Sequence, residues 1–189
     1  IIGLILIYLT LGYFIGGWWA DRSPYPQTMY RIIAWAAFTA GLAPLIARPV
    51  LTIASNAFDQ LQLGVLIGSF TAVLILFSVP ITLLGTISPF AIRLAITDAA
   101  TAGKISGKIY AISTLGSFVG TFLPVLVLIP VVGTTLTFMF FSIFLLVVAL
   151  TGLWIAGKKK DALGYLWMLF LLLLFAALTA GRPLKTTAG

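Results

Sequence analysis

Cysteine, histidine and glutamate are all missing from this sequence. Without cysteine there is no disulfide framework and no thiol nucleophile. Without histidine there is no imidazole to exchange protons near neutral pH and none of the commonest metal ligand. The carboxylates shrink to four aspartates, Asp21, Asp59, Asp98 and Asp161, too few and too scattered for the acid–base pairs on which most hydrolytic and transfer chemistry rests. No catalytic residue, metal site or cofactor site is therefore expected of this chain. Charge of either sign is scarce: charged residues make up 8% of the 189, against roughly a quarter in soluble domains.

What fills the chain is apolar surface. Hydrophobic residues account for 61% of it, and the mean hydropathy is +1.19. A soluble domain of this size has no interior large enough for that load, so the solvent is lipid. Apolar runs long enough to cross a bilayer, about 20 residues each, fall at about 1–19, 31–53, 61–84, 109–132, 134–156 and 162–180. The fold class expected is an all-α, polytopic transmembrane bundle of about six spans (residues 1–180), followed by a linker or tail over 181–189. The connection Val132-Gly133-Thr134 is short enough to predict a tight antiparallel hairpin between the fourth and fifth spans.

The net charge of +7 does not read as a nucleic-acid footprint, because no groove-like alternation of aromatics and arginines accompanies it. It reads as membrane topology. Arg22, Arg31, Arg93, Lys104, Lys108, Lys158, Lys159 and Lys160 follow spans one, three and five, whereas only Arg48, Arg182 and Lys185 follow the others. The loops after the odd spans are therefore expected to be cytoplasmic. This places the start of the chain outside, suggesting a span before Ile1, and also places the tail outside. Trp18, Trp19, Tyr25, Tyr165 and Trp167 suit the interfacial belt. Glycine pairs spaced i, i+4 (Gly12/Gly16, Gly64/Gly68, Gly103/Gly107 and Gly116/Gly120) suit close helix packing within the bundle.

The stretch from Ser88 to Pro124 is the polar interruption of an otherwise greasy chain. Ser88 suits a helix cap and Pro89 a first turn. Phe90, Ile92, Leu94, Ala95 and Ile96 with Arg93 and Asp98 then form a short amphipathic interfacial helix near 89–100. Thr101 to Gly107 reads as a turn, and Lys108 as a snorkelling residue at the start of span four. At the first boundary, Asp21 and Arg22 sit at a helix end where charged groups can hold neighbouring helix termini. Asp21, Arg22, Arg93 and Asp98 are accordingly the candidate interaction residues, with Arg22–Asp98 or Asp21–Arg93 as pairs that would fasten the hinge to span one.

Two resemblances follow from these residues. Gly17, Asp21 and Arg22 resemble the first half of the Gly-x-x-x-Asp-Arg loop signature of major facilitator transporters, although Ser23-Pro24-Tyr25-Pro26 departs from its second half. More specifically, SPFAIRLA (Ser88 to Ala95), the glycine–serine run from Gly103 to Gly116 and the Leu128–Pro130 segment resemble the membrane domain of fused spermidine synthase-like proteins. The resemblance implies an attached aminopropyltransferase-like domain that would carry the chemistry outside these 189 residues. A cytoplasmic domain of that kind conflicts with a tail placed outside. Either a span between Gly85 and Gly107 is miscounted, or the domain is extracytoplasmic, or it is absent.

The leading expectation is thus a multi-pass domain of a prokaryotic plasma membrane, an anchor or scaffold with polyamine handling as a subordinate role. The alternatives are a structural subunit of a larger membrane complex and a half-transporter. The partners expected are membrane lipids and other membrane subunits, with no nucleic acid.

Overall fold

The computed structural model describes residues 2–58 and 64–180, and among them every regular element is a helix. The helices are α1 (Ile2–Arg22), α2 (Pro26–Phe58), α3 (Gly64–Gly85), α4 (Ile87–Ala95), α5 (Ala102–Leu123), α6 (Ile129–Ile155), α7 (Lys159–Gly164) and α8 (Leu166–Ala180). Five helical stretches are long and apolar enough to cross a membrane, and the protein is a multi-pass membrane protein. The longest stretch covers 57 residues, Ala99–Ile155, about 85 Å at 1.5 Å per residue. That is nearly three hydrocarbon thicknesses. It breaks at Gly133, whose φ of 82° and ψ of 166° no helix accommodates, so it provides for both the fourth and the fifth expected spans.

Within lipid the apolar effect no longer drives helices together, and close packing of small residues takes its place. Helix α1 shows how. Its buried residues Tyr8, Gly12, Gly16 and Ala20 repeat every four positions and form one stripe. A side chain at Gly16 would meet Thr86 Cα at 2.6 Å, and one at Gly85 would meet Gly12 Cα at 3.1 Å, so backbone lies on backbone where α1 crosses the end of α3. The Tyr8 hydroxyl closes its own polar account by donating to the Leu74 carbonyl at 2.9 Å.

Helix α2 is the centre of the bundle. It packs on α3 on one side and on α6 on the other, with α1 beyond α3 and α8 beyond α6. The main core joins Ala34, Ala37 and Phe38 of α2 to Met139, Leu146 and Ala149 of α6 and to Met168 and Leu172 of α8. Gly41 lets α2 approach, because a Cβ there would stand 2.6 Å from Leu172 Cδ2 and 3.0 Å from Ser142 Cβ. Helix α4 lies across the ends of α1 and α2, its Phe90 fully buried against Ala20 and Ile32.

Several local expectations change. Helix α4 ends at Ala95, short of residue 100, since the backbone becomes extended at Ile96 (φ −80°, ψ 111°). Thr86, not Ser88, is its first flanking residue, and Ser88 lies inside the first turn with Pro89. Residues 102–107, expected as a turn, belong to α5, so Lys108 lies more than a turn inside that helix. Pro124 has no N–H and opens a wider-wound segment over 124–128, in which the Ile129 N–H reaches back to the Pro124 carbonyl.

The tight hairpin is not formed. The chain breaks at Gly133, but α5 touches only α4 and its own flanking connections, and none of its residues is buried. Of the glycine pairs, Gly12/Gly16 serves packing inside the bundle, whereas a side chain at Gly103, Gly107, Gly116 or Gly120 would meet open space. Asp59, the start of the third expected span at 61–63, and the tail over 181–189 lie outside the described residues.

Candidate functional site

Charged side chains gather at one end of the bundle. Arg93 on α4 donates from Nε to Asp21 Oδ1 at the end of α1, 3.1 Å away. One of the two pairs read from the sequence is therefore formed. The other, Arg22–Asp98, is not, because both residues are engaged locally. The Arg22 guanidinium stacks 3.7 Å over the Trp18 ring, a cation–π contact one turn back on the same helix. Asp98 accepts from the Ala100 N–H at 3.1 Å, and its backbone carbonyl accepts from the Thr101 hydroxyl at 3.0 Å. Asp98 thus starts the single 3₁₀ turn that leads into α5.

A second ion pair escaped the sequence reading. Arg31 near the start of α2 donates from Nη2 to Asp161 Oδ2 of α7 at 2.5 Å, with both side chains partly exposed. The residues are 130 positions apart, so no local pattern announces the contact. The only available signal was that the loops holding them share the basic side of the membrane. Tyr30 and Gly152 reinforce the junction, for the tyrosine ring occupies the space where any side chain at 152 would stand.

Beside the Asp21–Arg93 pair, an open cavity of about 440 Å³ is lined by Tyr13, Gly17, Asp21, Ser88, Arg93 and Tyr110. Its walls come from α1, α4 and α5. The terminal nitrogens of Arg93 have no protein partner among the described residues. The site pairs a cation with an anion and adds hydroxyl groups, which suits binding. It has no histidine, cysteine or glutamate to drive covalent chemistry. No group of three metal-ligating side chains occurs among the described residues.

No family model, curated protein or solved structure matches the chain. Among the residues whose side chains are described, the buried polar groups are those of Thr86, Thr137, Ser142 and the Tyr8 hydroxyl, and none of the buried side chains is charged. Thr86, between α3 and α4, donates to the Leu83 carbonyl of α3, and Thr137 to the Gly133 carbonyl four residues before it.

Proposed function

We propose that this chain is the anchor and scaffold domain of a spermidine synthase-like protein in a prokaryotic plasma membrane, holding a second membrane-spanning unit against α5. The observation that carries the scaffold role is the isolation of α5. It contains the stretch most distinctive in the sequence, Gly103 to Gly116, yet among the described residues α5 touches only α4 and its own flanking turns, none of its residues is buried, and a side chain at Gly103, Gly107 or Gly116 would meet open space. Glycine in a helix interior costs about 1 kcal/mol relative to alanine. In lipid it is matched by a gain where another helix approaches closely. Ser113, Gly116, Ser117 and Gly120 recur at helical spacing along α5, giving a narrow face on which an apolar helix can lie.

A polyamine path through the bundle has less support. Amines inside a membrane need acidic partners along the way, and Asp21, Asp98 and Asp161 all stand at helix ends. A half-transporter would likewise need a polar interior, which the described residues lack.

The test is site-specific photocrosslinking in native membranes, with the probe replacing exposed Ser117 on the glycine face of α5 or, as a control, exposed Phe144 on α6. A discrete protein adduct from position 117 and none from position 144 is the expected result. Lipid adducts alone from both positions would defeat the scaffold reading. Identifying the crosslinked species and mapping peptides of the parent protein would test the synthase assignment separately.

A further inference from the structure

We infer that the α6–α7 junction is a binding site for an anionic phospholipid, with the headgroup at Lys158–Lys160 and an acyl chain in the furrow between α6 and α8. This inference is independent of the scaffold reading, since it uses the opposite half of the bundle.

The junction begins with the way α6 ends. The N–H groups of Ala156, Gly157 and Lys158 turn back to the carbonyls of Gly152, Trp154 and Leu153 at 2.9, 3.1 and 3.0 Å. Gly157 takes a φ of 77° to close the turn, a conformation natural to glycine. The chain then emerges over the carbonyl end of α6, where cations are favoured, and delivers three consecutive lysines. All three are exposed. Lys159 Nζ stands 5.2 Å from the centroid of the Trp154 ring, which ties the cationic run to an aromatic residue at the membrane boundary.

The acid next to this run is already taken. Asp161 is the single carboxylate side chain after Asp98, and its carboxylate is paired with Arg31. No ion pair engages Lys158, Lys159 or Lys160 among the described residues. The junction therefore presents three positive charges with no local compensation.

Directly below lies an apolar recess of about 240 Å³, lined by Leu150, Thr151, Trp154, Ala162, Leu163 and Leu166. Exposed Phe144 and Val147 of α6 and exposed Phe170 and Leu173 of α8 extend the same apolar surface toward the middle of the membrane. Cations at the rim and a furrow beneath match the two ends of a phospholipid. A soluble anion would use the lysines but not the furrow. A neutral lipid would use the furrow but leave the charges unanswered.

The experiment reconstitutes the full chain into phosphatidylcholine nanodiscs containing a minor share of phosphatidylglycerol, and native mass spectrometry then reads the lipid retained. Wild type is expected to retain phosphatidylglycerol above its bulk share. Each lysine changed to glutamine is expected to reduce that enrichment about fivefold, following the worth of one basic residue near an anionic surface. The triple Lys→Arg variant is expected to keep it. Leu163→Trp, which fills the recess at an exposed position without altering charge, is expected to lower retention several-fold. Undiminished enrichment in the triple Lys→Gln variant would overturn the proposal. So would loss in that variant with no effect of Leu163→Trp, because the attraction would then be diffuse and no lipid seated.

Discussion

Gly16 and Gly17 are neighbours in sequence and opposites in environment, and changing each to alanine tests how α1 is held. A Cβ at position 16 would stand 2.6 Å from Thr86 Cα and 2.9 Å from its Cβ, while one at position 17 meets nothing within 4 Å. Carbon atoms rest at about 3.5–4.0 Å, so Gly16→Ala must push α1 away from the α3–α4 junction by about 1 Å. The obstacle is backbone and cannot rotate aside. Overpacking of this kind costs about 3 kcal/mol at the upper end of its usual range. Replacing a helical glycine returns about 1 kcal/mol, leaving a net loss of about 2 kcal/mol. For a chain of this size that corresponds to a fall of about 4–8 °C in the apparent Tm. Gly17→Ala keeps the helical gain alone and is expected to match or exceed wild type. Thermal unfolding of both variants in the same detergent, followed by size-exclusion fluorescence, reads the difference. If Gly16→Ala proves as stable as Gly17→Ala, the close crossing of α1 over Thr86 is refuted.

Three further outcomes follow from the same structure. In a double-mutant cycle of Asp21→Asn and Arg93→Gln, the coupling should be about 0.2–1 kcal/mol, as for other exposed pairs, and should shrink in high salt; coupling that is absent at low salt would deny the contact. Leu146, fully buried, should lose about 2–5 kcal/mol on change to alanine, whereas Phe144→Ala, 60% exposed, should lose far less; thermal unfolding compares them, and equal losses would contradict the assigned face of α6. Because the chain has no cysteine, single cysteines at positions 104, 158 and 180 can be labelled cleanly in sealed vesicles with an impermeant maleimide. Positions 104 and 158 should react from one side and 180 from the other, and reaction of all three from the same side would overturn the topology.

The helical character of this protein was legible because composition alone settles it: so apolar a chain must satisfy its backbone internally. The Asp21–Arg93 pair was also legible, since charges are rare enough that few combinations exist at one membrane face. The Arg31–Asp161 pair was not, because it depends on α6 and α7 returning beside α2 across 130 residues. The glycine spacing was ambiguous for a related reason. Gly12/Gly16 and Gly116/Gly120 have the same spacing in sequence, yet the first pair is buried against Thr86 and Gly85 and the second faces open space. Spacing states that a helix offers a close-packing face. It does not state which helix accepts it. The hairpin at Val132–Thr134 failed similarly: a short link limits the length of a turn but not the direction in which α5 leaves Gly133.

These distinctions bear on where function can reside. A bundle that conducts or transforms a polar substrate must keep polar groups in its interior, and each one is costly unless partnered. Here the buried polar side chains described are two threonines and a tyrosine, each donating to a backbone carbonyl, and one serine. Two ion pairs, Asp21–Arg93 and Arg31–Asp161, instead stand near helix ends, partly exposed; such pairs contribute little to stability but fix how α1, α2, α4 and α7 meet. What remains available for recognition is the outside of the molecule: the open glycine face of α5 and the lysine-rimmed furrow beside Trp154. One is small and uncharged, as an approaching helix requires. The other is cationic above and apolar below, as a phospholipid requires. On the two proposals the surfaces select different partners, a helix and a phospholipid, and one chain would engage both at once.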